Sequence, residues 1–188
     1  MKKFLPFFIL FSLISAVNAK EINSLQAENI DGLIYEIGYE KPFSGKINTY
    51  RNNQLIIAAD FKDGLLNGKY EEYFNNQSIK KSAYYINGKL DGEFFEYYKS
   101  GSIKLKVKYR EGLKFGLMES FYSNANLKSS KSFYKGKKEG LSKAYRVDGS
   151  LEVTTFYKNS IVNGKNIIFY EDGITIKQET DYINGKRN

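Results

Sequence analysis

Histidine, cysteine and tryptophan are absent from this chain, and proline occurs only twice. Without histidine or cysteine there is no Ser-His-Asp triad, no thiol nucleophile, no imidazole acid–base pair and no zinc site of the His/Cys kind. No disulfide can staple the fold, whatever compartment the chain reaches. Long apolar runs are also missing after residue 19. The one that exists, Leu5-Pro6-Phe7-Phe8-Ile9-Leu10-Phe11 and onward to Val17, follows Lys2 and Lys3 and ends at Val17-Asn18-Ala19. A charged start, a short apolar core and small residues before a cut define an export leader. The run is short for a membrane span. Residues 1–19 are therefore expected to be a cleaved signal helix, with the mature chain exported to periplasm, cell surface or medium.

What the chain has in quantity is glycine, tyrosine and phenylalanine, at 16, 16 and 14 residues. Gly68, Gly92, Gly116, Gly140 and Gly164 follow one another every 24 residues, and Gly45 is one residue out of step. The fifth residue after each glycine is aromatic: Tyr50, Tyr73, Tyr97, Phe121, Tyr145 and Phe169. Such a period marks a repeat architecture in which each unit contacts mainly its neighbours.

Each unit reads as two strands and two tight turns. Ile103-Lys104-Leu105-Lys106-Val107-Lys108-Tyr109 alternates apolar and charged residues, the pattern of a half-buried strand. Asp63-Gly64, Asn87-Gly88, Glu111-Gly112 and Asn184-Gly185 mark one turn, and Ser100-Gly101, Asp148-Gly149 and Asp172-Gly173 the other. The expected fold is all-β: a single-layer antiparallel meander of about six hairpins at residues 45–67, 68–91, 92–115, 116–139, 140–163 and 164–188. Residues 20–44 break the pattern and are expected to cap the first edge, with Lys20 to Glu28 loose.

A two-residue loop at Ser100-Gly101 would set Phe94 opposite Val107, Tyr98 opposite Ile103 and Gly92 opposite Tyr109. On the buried face each glycine then faces an aromatic ring, as Gly68 faces Tyr85, Gly116 faces Phe133 and Gly140 faces Tyr157. Lys81 and Lys131 fall on that face too, Lys81 opposite Glu72. Ser160 stands where a turn glycine is expected, and the last unit needs one extra residue to bring Ile176, Gln178, Thr180 and Tyr182 into line. The same register puts Tyr73 across from Lys80, Tyr97 from Lys104 and Phe121 from Lys128 on the opposite face. Lys106 and Lys108 extend that ladder, Lys108 beside Glu93. These eight residues, Tyr73, Lys80, Tyr97, Lys104, Lys106, Lys108, Phe121 and Lys128, are the candidate binding residues.

The formal charge is +8, and the excess is local: residues 92–139 hold 11 basic residues against 5 acids. The bland reading of the aromatic–lysine ladder is a solvated face with lysine stems lying over rings, the usual role of surface charge on a repeat sheet. Carboxylates such as Glu93, Glu96 and Glu119 recur at repeat positions and do not gather as a facing pair. No enzyme, cofactor, metal or small-molecule substrate is expected, and nucleic acid is a poor fit for an exported protein.

The units GEFFEYYKSGSIKLKVKYREGLKFG and GKYEEYFNNQSIKKSAYYINGKLDG, with the lead-in Lys41-Pro42-Phe43-Ser44-Gly45, resemble the bacterial variant of the MORN repeat over residues 33–187. The resemblance implies an elongated binding scaffold without catalytic residues. Relatives labelled YwqK-type antitoxins imply a protein partner, here one met outside the inner membrane: a secreted toxin or a surface component. The alternative is attachment to anionic lipid or acidic glycan through the lysines.

Overall fold

The computed structural model describes residues 20–188. The expected leader, residues 1–19, lies outside the described residues. The strands are β1 (Glu21–Asn23), β2 (Ala27–Ile30), β3 (Leu33–Glu36), β4 (Gly45–Arg51), β5 (Gln54–Lys62), β6 (Leu65–Tyr73), β7 (Ile79–Ile86), β8 (Lys89–Leu90) and β9 (Gly92–Tyr97). They continue with β10 (Ile103–Arg110), β11 (Leu113–Phe121), β12 (Leu127–Tyr134), β13 (Lys137–Lys138), β14 (Gly140–Tyr145), β15 (Leu151–Lys158), β16 (Ile161–Phe169), β17 (Ile176–Ile183) and β18 (Lys186–Arg187). All but β2 and β3 form one open sheet, in which each strand pairs with the next along the chain from β4 onward, apart from the short β8 and β13. The meander is as expected.

One turn type closes the lower end of each unit. Asp63-Gly64, Asn87-Gly88, Glu111-Gly112, Lys135-Gly136, Asn159-Ser160 and Asn184-Gly185 all hold positive φ at both residues, the conformation that matches strand twist in a two-residue hairpin. Ser160 adopts it without being glycine (φ 68°). Its hydroxyl accepts a bond from the Lys138 amide at 2.9 Å, which offsets part of the strain.

The upper turns differ from the expectation. Tyr98 donates its amide to the Ser102 carbonyl at 2.8 Å and Gly101 to the Tyr98 carbonyl at 2.9 Å. The loop is therefore three residues, Lys99 to Gly101, with Gly101 at φ 89°. This pairs Ile103 with Tyr97, not Tyr98, and a bulge at Lys104 then restores Leu105 opposite Glu96 and Val107 opposite Phe94. Two one-residue offsets cancel. The same bulge falls at Lys80 and Lys128, where Tyr73 pairs with Ile79 and Phe121 with Leu127.

Away from the upper turns the expected register holds. Gly68 faces Tyr85, Gly92 faces Tyr109, Gly116 faces Phe133 and Gly140 faces Tyr157. Glu72 faces Lys81 and binds it at 2.9 Å. In the last unit, Ile174 is the additional residue that brings Ile176 opposite Phe169 and Tyr182 opposite Gly164. The repeat glycines have a second role besides making room for rings. Gly92 sits at φ 122° and a Cβ there would meet Tyr84, whereas Gly164 at φ 132° would meet Phe156 at 3.2 Å.

The N-terminal cap is ordered. β1 pairs with β4, and the pairing is parallel, the one departure from an antiparallel sheet among the described residues. Residues 20–28 are thus not loose: Asn23 and Gln26 close a capping box over a single 3-10 turn. Ile22, Phe43 and Ile47 form a small core with Ala27, Ile34 and Phe61 packed against it. Pairing with β1 covers the Lys46–Asn48 part of the β4 edge, and the small core adds apolar burial beside it.

A row of side chains ties the upper turns together. Tyr98 donates its hydroxyl to the Phe121 carbonyl at 2.8 Å, Tyr122 to that of Tyr145 at 2.8 Å, and Arg146 reaches that of Phe169 at 2.7 Å. Phe74, the residue at the same repeat position, has no hydroxyl to give. Tyr122→Phe is expected to cost about 1 kcal/mol, a typical net hydrogen bond. Phe74→Tyr should gain a similar or smaller amount by adding the missing rung. Urea unfolding of both variants checks the pair.

Candidate binding surface

Side chains alternate across a strand, so the register divides the sheet into two faces. The inner face carries the glycine–aromatic pairs and most of the buried strand residues, including Ile47, Ala59, Ala83, Val107 and Phe133. Edge-to-face contacts at 5.8 Å join Tyr70 to Tyr85 and Phe94 to Tyr109. No side chain is wholly buried among the described residues, as a single layer dictates. The outer face carries Glu71, Phe95, Lys106 and Glu119 in one cross-strand row. Tyr73, Tyr97 and Phe121 lie two residues further along three of those strands, so the three rings share the outer face as expected.

Their expected lysine partners are elsewhere. In a bulge the extra residue and its successor turn to one side, and Lys80 and Lys81 both bind Glu72, at 3.4 and 2.9 Å. Glu72 also accepts the Tyr70 hydroxyl at 2.9 Å, which places the group on the inner face. Lys128 sits 5.4 Å from the Tyr122 ring centre, on the same side. Lys104 occupies the equivalent bulge. The pairs Tyr73–Lys80, Tyr97–Lys104 and Phe121–Lys128 therefore do not exist, and the ladder separates onto two faces.

Lys106 and Lys108 remain on the outer face. Lys106 binds Glu119 at 2.7 Å and lies 5.9 Å from the Phe121 ring centre. Lys108 stands opposite Glu93 in register, yet the ion pairs of the described residues do not include it. Tyr73 donates to Glu71 at 2.9 Å, and burial, then that bond, pushes its phenol up to about 12. Phe95 stacks on Tyr97 with centroids 6.0 Å apart, and burial raises the Tyr97 phenol.

The outer face also displays what the sequence did not single out. The exposed large apolar side chains of the strands, Tyr84, Leu113, Leu117, Tyr134, Leu141 and Phe156 among them, project from it. Between β10, β11 and β12 they frame a cleft of about 480 Å³ lined by Arg110, Glu111, Leu113, Phe115, Tyr134 and Lys135. The Arg110 guanidinium lies 4.4 Å over the Phe115 ring, and Phe115 and Tyr134 are 5.9 Å apart. A second hollow, lined by Glu93, Phe95, Lys106, Lys108, Leu117 and Glu119, adjoins it along the same strands. The signal that would have found this patch is the pairing of Leu113, Phe115 and Leu117 at alternate positions on one strand. Among the described residues no group of three or more carboxylates is placed to hold a metal ion.

No protein-family model matches the chain, and no curated protein matches it.

Proposed function

We propose that the protein is an exported, non-enzymatic repeat scaffold that docks another protein on its outer face, centred on Phe115 and Tyr134. The observation that carries this reading is the contiguous apolar and aromatic cleft on β10–β12, bordered by Arg110, Lys106 and Lys108. Exposed apolar patches rimmed by charge are the usual form of a protein interface. Tyr, Phe and Arg anchors in shallow pockets carry most of such binding energy. The resemblance to MORN-variant repeats and the expected leader favour a partner outside the inner membrane, a secreted toxin or a surface component, which the protein would hold as an antitoxin or immunity protein does.

Attachment to anionic lipid or glycan fits less well. Lys80, Lys104 and Lys128 lie away from Lys106 and Lys108, and Lys80 and Lys106 already hold carboxylates. Lysines at a charged surface contribute about 1 kcal/mol each, so the few left on either face support only weak binding. The test is capture of partners from envelope and culture fractions at two salt concentrations, using the native chain and a Leu117→Glu, Tyr134→Ala variant. A discrete protein held at both salts and lost by about 1,000-fold in the variant, two hot spots of about 2 kcal/mol each, is expected. No partner beyond a scrambled basic control, or equal capture by the variant, overturns the proposal.

A further inference from the structure

Three lysines on the inner face stand where other repeats place apolar side chains. Lys131 takes the position of Ala83 and Val107, each only 3% exposed, in the repeats 48 and 24 residues earlier. Lys114 and Lys138 take the position of Leu90 and Val162, each facing the ring of its neighbouring strand: Tyr109 for Lys114, Phe133 for Lys138, Tyr85 for Leu90 and Tyr157 for Val162. Packing argues against lysine at all three. The Lys114 ammonium lies 5.2 Å over Phe133 and that of Lys138 lies 4.6 Å over Tyr157. Lys131 stands opposite Met118 between them. Burial, then the charges of Lys138, Lys114 and Lys128, hold its ammonium below the usual lysine range. The ion pairs of the described residues leave out all four lysines, and Glu119 of the same strand pair is on the other face with Lys106.

A fold that only needed stability would keep the alanine or valine of its own earlier repeats at residue 131. We infer that this inner-face cluster, Lys114, Lys131 and Lys138 over the Phe133 and Tyr157 rings, receives an extended, carboxylate-rich segment of a protein. The three lysines come from adjacent strands about 4.8 Å apart. An extended peptide with acids at alternate residues presents same-side carboxylates about 6.8 Å apart, a spacing long lysine side chains can meet. Lys131 is only partly exposed beside the Phe133 ring, which a projecting side chain reaches more readily than the plane of a bilayer. The ring faces add cation–π support for ammonium groups held ready for a carboxylate. This surface is on the side of the sheet away from the cleft of Phe115 and Tyr134, so it stands or falls without that reading.

The test measures anisotropy of a labelled ten-residue peptide of alternating Glu and Ser, with phosphatidylglycerol vesicles as a second probe. Salt-sensitive peptide binding is expected, at least about tenfold weaker in Lys131→Ala and in Lys114→Leu, Lys138→Leu. Lys131→Ala should also raise the melting temperature by about 2–4 °C, because it removes a half-buried, unpaired charge. A Lys99→Ala, Lys143→Ala control of equal charge loss should bind as the native chain does. Equal peptide affinity in all variants, or binding to vesicles without binding to peptide, overturns the inference. Loss of outer-face partner capture would leave these readings unchanged.

Discussion

Gly45→Ala is expected to unseat the N-terminal strand from the sheet. A Cβ at this position would lie 2.1 Å from the Lys20 carbonyl oxygen and 2.8 Å from the Phe43 ring, at a φ of 150°. The oxygen cannot move aside freely, since it accepts the Lys46 amide at 2.8 Å and anchors the parallel ladder from Glu21 to Asn23. Relief therefore comes by lifting β1, which also uncovers Ile22 and the Phe43–Ile47 core. Positive-φ strain and the lost burial together cost about 3 kcal/mol. In a repeat sheet that loss is expected to be local. Hydrogen exchange should show protection lost in residues 20–30 and along β4, with residues 92–183 unchanged. Uniform loss along the chain would show instead that the cap holds the whole sheet.

Alkali should unfold the protein far more steeply than acid. Burial, first among the causes, raises the phenols of Tyr70, Tyr73, Tyr85, Tyr97 and Tyr109 above the ordinary tyrosine value. Hydrogen bonds to Glu72 and Glu71 add to the effect at Tyr70 and Tyr73. In the unfolded chain these groups ionise near pH 10, whereas in the folded sheet they keep their protons. The folded state then binds more protons than the unfolded one, so stability falls as pH rises above about 10. All five phenols keep solvent contact, which screens each contribution below the full linkage value of about 1.4 kcal/mol per pH unit. Five acting together still dominate. On the acid side bonds from Ser150 and Thr175 hold the exposed Asp148 and Asp172 carboxyls below the usual range, and Glu72 is the partly buried counterpart. Burial opposes its charge, but bonds from Lys81 and Tyr70 outweigh that and hold its carboxyl below the usual range. Its contribution is present above pH about 4 and is lost below. Urea midpoints from about pH 2 to 11.5, read with tyrosinate absorbance, check both limbs. A midpoint that stays level above pH 10 would contradict the assignment. Tyr70→Phe should flatten the alkaline limb measurably, because it removes the phenol held most strongly.

The sequence made the meander and most of its register legible, for a physical reason. Glycine at positive φ opposite an aromatic ring is a demanding arrangement, and repeating it every 24 residues leaves few alternative pairings. Gly92 opposite Tyr109 and Phe94 opposite Val107 followed directly. The bulges at Lys80, Lys104 and Lys128 were not legible because a three-residue loop and one extra residue cancel within each hairpin. The apolar–charged alternation of Ile103 to Tyr109 looks the same with or without them. That hidden offset divided the candidate ladder between faces. Residues 20–28 were misread because a short parallel strand carries no periodic signal of its own, and what holds it is a core built from Phe43 and Ile47. The outer cleft was missed because Leu113 and Phe115 follow a turn, where apolar residues read as part of the buried layer.

Within the meander from β4 to β17 the crossings β7–β9 and β12–β14 are the thinnest joints: each has two paired positions, beside the two held by β8 or β13. They crease the ribbon into three stiffer leaves. At the second crease Tyr122 bolts the leaves together, with Asn124 and Asn126 reaching the Val147 carbonyl at 3.0 and 2.9 Å. At the first, Phe74 supplies no bolt, and the contacts from Asn76 and Ser78 to Lys99 stretch to 3.4 Å. Tension along the ribbon would therefore part it first between residues 86 and 92, leaving the leaf that holds Phe115, Tyr134 and Lys131 intact.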